Sequence, residues 1–506
     1  MAADSPASAA DLLREFETRV SPFDVGNRAQ LFVDRVLVRD TERVWFTQHQ
    51  GRKHPANPLI KADRPWEGWR VQIFGNVIYD EQERIFKMWY LQEEDREKRQ
   101  YFLDDDNLTL YATSKDGIRW QKPLVGTIRS SNGKPHNAVA RFYVANVIKD
   151  VRDSDPSRRY KCIAMGYKPA EGYSTYVSPD GLNWKRYSKT PIAPEADVIG
   201  GFWDPRRQLY VAFPKTYPVW RGYNRRLFGT TVSRDFVEWS KPTVSWTTDL
   251  RDDASALARI EQVRPILDVK DDPALYRTEY YGIGVYPAES CTIGFPWVLT
   301  VNANCPWDGN QDGPQEIQLA VSRDLINWER PFRTPVIQIG ETNRWDASYH
   351  MCAATAIRCG DEIRLYYSGA NYTHGSLCFG PKGVPEARRR KQTSSIGLVT
   401  WKLDRFVSAD APAEGGLLTT VPLKFSGKRL EINAATKPGG SLVVDLCDAA
   451  GRPLPGFAAS DPFQGDDLRH VVTFQGKSDV AALAGKPIVL RVHLKDASLY
   501  SFAFRD

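Results

Sequence analysis

Cysteine is scarce in this chain, with 7 among 506 residues. The seven stand at positions 162, 291, 305, 352, 359, 378 and 447, and none belongs to a C-x-x-C pair. An odd, scattered set of this kind excludes a zinc ribbon, a dithiol redox motif and a disulfide framework, and leaves room for one adventitious bridge. No apolar run approaches the length of a membrane span. The opening stretch from Met1 to Leu13 lacks a basic n-region and an apolar h-region, so the chain as given is not addressed for export. An Ala/Ser-rich start is also what remains when a signal has been removed, so the compartment stays open. Charge of one sign is lacking too. With 68 Lys and Arg against 62 Asp and Glu the net charge is only +6. The basic residues mostly alternate with acids instead of forming a stripe, which argues against nucleic acid as a partner. The small positive surplus reads either as ordinary solubility or as a preference for an anionic substrate.

What is present is aromatic and turn-rich. Phe, Trp and Tyr make up 12% of the chain, and 33 Pro and 36 Gly punctuate it. That combination fits an all-β protein with many turns and few long helices, and the length calls for two or more domains.

One short pattern is written four times: Ser114-Lys-Asp-Gly-Ile-Arg-Trp120, Ser178-Pro-Asp-Gly-Leu-Asn-Trp184, Ser233-Arg-Asp-Phe-Val-Glu-Trp239 and Ser322-Arg-Asp-Leu-Ile-Asn-Trp328. In Ser-x-Asp-x-x-x-Trp the Ser and Asp side chains bond nearby backbone N–H groups and close a tight turn, where Gly accepts positive φ. The Trp then supplies a large apolar surface on the returning strand. Each copy follows a β-rich run, so each reads as a hairpin between antiparallel strands. A loosely periodic hairpin signature predicts radially repeated four-stranded sheets, a β-propeller. A fifth unit, Arg364-Leu-Tyr-Tyr-Ser-Gly followed by Ser395-Ile-Gly-Leu-Val-Thr-Trp401, keeps the order of parts without the signature and brings the blades to five.

In chain order, residues 1–28 form an N-terminal extension with a short helix expected within 9–20. Residues 29–409 form the five-bladed propeller, with Gln30–Val38 expected to close the ring by pairing with the last blade. Residues 410–506, alternating strands broken by Gly and Pro, form a C-terminal β-sandwich, whose lack of clustered acids and of Trp beyond Trp401 suggests structural support.

A propeller of five aromatic-rich blades followed by a β-sandwich resembles the glycoside hydrolases of families 32 and 43, the invertase–inulinase and arabinanase–xylosidase groups. The resemblance rests on the four hairpins, on inner strands running into turns such as Trp203-Asp-Pro205, and on the terminal sandwich, and it spans nearly the whole chain. It implies an exported enzyme acting on an oligo- or polysaccharide. The Trp-Met-Asn-Asp-Pro-Asn-Gly motif that opens the first blade of family 32 does not occur, and Trp203-Asp-Pro205 and Glu289-Ser-Cys291 are only near-matches to its other two motifs. The catalytic positions therefore have to be argued from this chain.

Inner strands of a propeller converge on its axis, and their starts line the mouth where ligands bind. Three inner strands start with a carboxylate: Asp197, Glu279 and Asp346. A charge at such a place is costly unless paired or used. The expected chemistry is glycosidic hydrolysis by paired carboxylates, with no metal or cofactor. Glu279, having the longer reach, is the expected general acid, and Asp197 and Asp346 compete for nucleophile or base. Mutual repulsion is expected to hold a proton on one of them. The bland alternative is strand-end capping or pairing with Arg277 or Arg344. His136, Asn137 and Asn76 in the first two blades, and Asp34 in Phe-Val-Asp-Arg, are candidate substrate contacts. So are His350, on the same side of its strand as Asp346, and Trp345 as a stacking face. Two rival functions remain: a lyase on a uronate-containing glycan, using His136, His350 or Tyr349 with arginines neutralising the acid, and a non-catalytic sugar-binding propeller.

Overall fold

The structure, a computed structural model, describes residues 7–13, 21–93, 107–130, 133–165, 172–194, 197–267, 269–306, 309–377 and 392–506. It is all-β, with strands gathered into several sheets and few short helices. Of the expected N-terminal helix, the described part is Ala9–Leu13, whose Ala9 and Leu13 are buried in the core that holds Phe228 and Trp246; positions 14–20 lie outside the described residues. Among the described residues no helix is long and apolar enough to cross a membrane.

Five sets of antiparallel strands follow one another along the chain. The first comprises Arg70–Asp80, Ile85–Glu93, Asn107–Ser114 and Ala138–Ala140, the second Val144–Lys149, Tyr160–Met165, Tyr173–Ser178 and Lys185–Arg186. The third comprises Ile199–Asp204, Leu209–Thr216, Leu227–Ser233 and Thr243–Trp246. The fourth is built on Arg277–Pro287 and Thr292–Val301, and the fifth on Glu362–Ala370 and Ser394–Lys402.

All four Ser-x-Asp-x-x-x-Trp stretches link the last two strands of a set, Ala320–Ser322 and Trp328–Glu329 in the fourth, and they share one geometry. In the first, Gly117 N–H donates to Ser114 Oγ at 2.9 Å, while the N–H groups of Ile118 and Arg119 both donate to Asp116 Oδ1 at 2.8 Å. The other three repeat these bonds at Asp180, Asp235 and Asp324. The residue after the Asp takes a left-handed backbone in every copy: φ is 74° at Gly117, 78° at Gly181, 68° at Phe236 and 68° at Leu325. A non-glycine residue there is strained by roughly 1–2 kcal/mol. Phe236 and Leu325 are fully buried, and that burial offsets the strain.

These hairpins also fasten neighbouring sets together. The Tyr366 hydroxyl of the fifth set donates to Gly117 O at 2.7 Å. Trp89 Nε1 of the first donates to Gly181 O at 2.8 Å, and Thr230 Oγ1 of the third to Leu325 O at 2.8 Å. First strands of neighbouring sets touch as well. Ala145 pairs with Gly75 in parallel, Asn146 Nδ2 donates to Ile199 O at 2.6 Å, and Val285 N–H donates to Ala354 O at 2.9 Å. Ala354 N–H in turn donates to Gly75 O at 3.1 Å. Gly75 is required at this crossing, because a Cβ would lie 2.4 Å from Trp89 O. Where Ile73, Val144, Val198, Ile283 and Cys352 meet, only about 10 Å³ remains, so side chains fill the junction of these strands.

The N-terminal strands do not pair as the sequence suggests. Gln30–Leu31 pairs with Phe502 and Ser501 of the last strand, Val489–Arg505. Val38–Glu42 and Trp45–Gln48 join the same sheet, alongside Gly416–Thr420 and Val407–Ala411. The strand that reaches the fifth set is Arg52–Lys53, antiparallel to Val399 and Thr400. Gln30–Val38 carries the β-rich apolar residues because it helps cover a second core, formed with Leu418, Leu442, Val444, Leu490 and Val492. Arg52–Lys53 is too short and polar to show a pattern. The frame of the C-terminal sheet is the antiparallel pair Arg429–Cys447 and Val489–Arg505, interrupted by a register shift between Thr436 and Ser441.

Candidate functional site

Asp197 precedes the inner strand Ile199–Asp204, and its neighbours come from the two adjoining strand sets. Lys215, near the end of Leu209–Thr216, pairs with Asp197 Oδ1. Tyr281, on the inner strand Arg277–Pro287, donates its hydroxyl to Asp197 Oδ2 at 2.8 Å. Lys215 Nζ sits 3.9 Å from the centre of the Tyr281 ring, and the Arg226 guanidinium 5.5 Å from it. Arg226 Nη1 then donates to Glu279 Oε2 at 2.6 Å, and Arg277 Nε to Glu279 Oε1 at 2.7 Å. Asp197 and Glu279 thus belong to one connected network, bridged by Lys215, Tyr281 and Arg226.

Exposure separates the two acids. The Asp197 side chain is 32% exposed, those of Lys215 and Glu279 1% and 0%. The expectation of Glu279 as general acid gives way here. Both of its oxygens are held by guanidiniums and no part of it faces open space, so a leaving group cannot reach it. It anchors two arginines, which is the Arg277 pairing with a second cation added.

The expected shared proton gives way as well. Burial would raise the Asp197 carboxyl, but the Lys215 charge and the Lys215 and Tyr281 hydrogen bonds outweigh it and hold it at about 2. Burial pulls Lys215 the other way, down to about 8, against the attraction of Asp197. Burial, and then the Asp197 charge, push Tyr281 far above the ordinary phenol range. His374, whose ring lies 5.1 Å from that of Tyr281, is lowered to about 3 by burial and by Arg226, and is neutral at pH 7. The site therefore offers an ionised, reachable carboxylate beside a protonated lysine and a protonated phenol.

Asp346 has its own cluster. Its Oδ2 accepts from Lys53 and, at 2.9 Å, from the Tyr367 hydroxyl, while its backbone carbonyl accepts from His350 Nε2 at 2.7 Å. Burial opposes ionisation, but His350, Lys53 and Tyr367 keep the carboxyl below its usual range. Burial lowers His350 to about 4 despite the pull of Asp346. Neutral His350 thus donates from Nε2, and its Nδ1 has no hydrogen-bond partner among the described residues. Trp345 packs on Tyr367 with ring centres 5.5 Å apart. Asp346, His350 and Trp345 lie together, but each acid carries its own lysine, Lys215 or Lys53, and so neither needs to retain a proton.

The remaining candidates are spent inside the fold. Asn76 donates to Val147 O at 2.7 Å and accepts from Val147 N–H at 2.9 Å, stitching the first inner strand to the second. Asn137 accepts from Trp66 Nε1 at 2.7 Å and donates to Tyr90 and to Tyr111 O. His136 is buried and accepts from Ala138 N–H at 3.1 Å, and burial lowers it. Asp34 is bound by Arg323 at 2.7 and 3.1 Å, tying the N-terminal segment to the fourth hairpin. These four were expected to meet substrate because polar groups in apolar strands suit sugar hydroxyls. The same groups serve backbone and inter-sheet bonds, and that use prevails.

Lys215, Arg226 and Tyr217 escaped the sequence reading. The first two stand at outer-strand ends, where a lone basic residue looks like a solvated terminus. The signal for Tyr217 is the aromatic stretch Tyr217-Pro-Val-Trp-Arg-Gly-Tyr223 interrupting two strands. Among the described residues no group of three or more His, Cys, Asp or Glu has metal-holding geometry.

No family model and no curated protein matches the chain. Its fold has distant counterparts among solved structures. A β-1,2-mannobiose phosphorylase from Listeria innocua is 14% identical, with a TM-score of 0.41 over 70% of this chain and 97% of the other. An N-acetylgalactosamine deacetylase from F. plautii is 12% identical, TM-score 0.38, over 71% and 96%. A family 32 β-fructofuranosidase from Bombyx mori is 10% identical, TM-score 0.39, over 90% and 94%. At such values the likeness does not assign an activity.

Proposed function

We propose that the protein is a carbohydrate-active hydrolase that cleaves a glycosidic bond at the mouth of a five-bladed β-propeller backed by a C-terminal β-sandwich. The propeller reading is supported by the contacts between first strands of neighbouring sets and by the four equivalent hairpins, three of which fasten a neighbouring set. The observation that carries the activity is Asp197: an open, ionised carboxylate just before the strand Ile199–Asp204, fixed by Lys215 on one oxygen and by Tyr281 on the other. Fixed donors of this kind aim a carboxylate at a developing positive charge without reorganisation, and cleavage of a glycosidic bond builds such a charge on the sugar. Asp197 is the nucleophile or base in this scheme; Asp346, ionised beside Lys53, is an electrostatic partner only, and the leaving oxygen takes its proton from solvent.

A second reading, a lyase acting on a uronate-containing glycan, draws on the cationic and phenolic surroundings. Lys215, Arg226 and Arg277, nearly buried and already paired, would favour the uronate through their field alone, and Tyr217, whose hydroxyl lies 3.5 Å from Asp197 Oδ1, would move the proton. A glycan panel assayed for reducing sugar and for the ultraviolet absorbance of unsaturated uronate separates the two. Reducing sugar without unsaturation supports hydrolysis, and unsaturation supports the lyase. With an active glycan found, Asp197→Asn is expected to lower turnover by about 10²–10⁴-fold with the fold intact. Full turnover by that variant removes Asp197 from the chemistry.

A further inference from the structure

Large apolar side chains are exposed in several places, and three of them share one short hairpin: Tyr217 at 48%, Val219 at 74% and Trp220 at 38%. The hairpin pairs Val219 with Asn224 and Trp220 with Tyr223 across a two-residue turn. Both turn residues have left-handed backbone, with φ of 52° at Arg221 and 84° at Gly222, the pattern of a type I′ turn. Positive φ is unfavourable for arginine, and Arg221 is held there by an ion pair with Asp253 at 3.1 Å.

The hairpin is pinned in place as well as tightly turned. Trp220 Nε1 donates to Thr248 O at 2.8 Å, and the Tyr223 hydroxyl donates to Ala274 O at 2.8 Å. Arg225, fully buried, donates to Trp220 O at 3.0 Å and to both oxygens of Asp253 at 2.8 and 2.9 Å. Both ends reach the charged network already described. The Tyr217 hydroxyl lies 3.5 Å from Asp197 Oδ1, and Arg277, which holds Glu279, lies 4.6 Å from the centre of the Tyr223 ring. A rigid structure that keeps aromatic faces out of the core and in water loses stability unless a ligand covers them.

We infer that this hairpin is a glycan platform on which Tyr217 and Trp220 take the C–H faces of the sugar units next to the one at Asp197. The inference rests on the proposed glycan site at Asp197. Rings held by few torsions supply contact area at low entropic cost, and the continuity of Tyr217 with Asp197 selects a sugar chain over a protein partner. The class of ligand is an oligo- or polysaccharide; a single sugar would leave the Trp220 end of the hairpin uncovered.

The test measures binding separately from cleavage. The full chain and its Y217A, Y217F and W220A variants are run in native gels containing arabinan, xylan, inulin or polygalacturonate, with circular dichroism as the folding control. At least one glycan should retard the wild type. Y217A and W220A should each weaken that affinity by about tenfold or more, and Y217F, which keeps the ring, should retain most of it. If all three variants bind as the wild type does, or if no glycan retards the wild type, the platform is refuted. Light scattering adds a further arm: a wild-type dimer that W220A converts to monomer with unchanged glycan affinity makes the hairpin a self-association surface and refutes the proposal. Glycan cleavage with unchanged variant affinities leaves the hydrolase standing without the platform. Lost affinity without any cleavage leaves the platform standing without the hydrolase.

Discussion

Cutting the Asp197–Lys215 pair from its two sides should have unequal consequences. Lys215 is held at about 8 against an ordinary 10.5, which at roughly 1.4 kcal/mol per pH unit is a penalty of about 3 kcal/mol for keeping it charged. Asp197 is held at about 2 against an ordinary 3.8, a gain of about 2 kcal/mol for keeping it ionised. The same Asp197–Lys215 attraction enters both shifts, so the outcome turns on which charge is left behind: buried ion pairs commonly contribute little net stability, and breaking one from a single side is costly. Lys215→Met removes the penalty and leaves a carboxylate that is one-third exposed and still bonded to Tyr281, so stability at pH 7 should change by less than about 1–2 kcal/mol. Asp197→Asn leaves an almost fully buried ammonium without its counter-charge and should cost about 3 kcal/mol or more.

The pH dependence carries a definite sign. In Asp197→Asn the folded-state value of Lys215 falls below 8 while the unfolded value stays near 10.5. The unfolded chain then binds more protons throughout that window, so stability rises with pH across it. Urea midpoints at pH 7 and pH 9.5 provide the assay, and the deficit of Asp197→Asn relative to wild type should shrink at the higher pH. If Lys215→Met proves the more damaging change, or the Asp197→Asn deficit is the same at both pH values, the buried-lysine reasoning is wrong.

Three further outcomes are expected. Truncation through His54 should cost more soluble protein than truncation through Gln48, because only the longer cut strips Arg52–Lys53 from the edge at Val399 and Thr400; equal yields would count against that role. Gly117→Ala and Leu325→Gly should both lower the melting temperature, for opposite reasons. The first places a Cβ 2.6 Å from the Tyr366 hydroxyl at φ 74°, and the second relieves strain at φ 68° but empties a fully buried site, at a net cost of about 1–3 kcal/mol. Asp404 is raised to about 6 by burial and then by Glu289. Its folded state holds the proton more tightly than the unfolded one, so stability is lost as pH rises from about 4 to 6. Asp404→Asn should therefore raise the melting temperature at pH 7.5 and change it little at pH 4.

The sequence was most legible where local chemistry alone dictates geometry. The Ser-x-Asp-x-x-x-Trp stretches could be read as hairpins because every bond of the turn lies within the stretch. Phe236 and Leu325 stand in the Gly place without spoiling it, since a buried side chain compensates there. Asp197 and Glu279 could be located at inner-strand starts for the same reason. Their partners were hidden: Arg226 is 53 positions from Glu279 and Lys215 lies at the far end of a hairpin from Asp197, so only the folded pairing reveals which acid is open and which is enclosed. The strand at Gln30–Leu31 misled because apolar alternation reports burial without naming the sheet that provides it. Tyr217 and Trp220 went unmarked because an aromatic stretch in a β-rich sequence does not say whether it is buried.

The pairing of Gln30 with Phe502 bears on how the chain is made. At about 5–20 residues per second, roughly half a minute to a minute and a half passes between synthesis of the two strands. Throughout that interval Gln30–Leu31 has no strand partner, whereas Trp45–Gln48 and Val38–Glu42 gain theirs when Val407–Ala411 and Gly416–Thr420 are made, and the strand sets from Arg70 onward have local partners. The Phe32 ring, which packs on Phe502, stays available to anything that binds nascent chains until Val489–Arg505 arrives. Closure of this sheet is then the last event of folding, and a ribosome stalled anywhere before the final strand leaves a product with folded strand sets and an adhesive beginning.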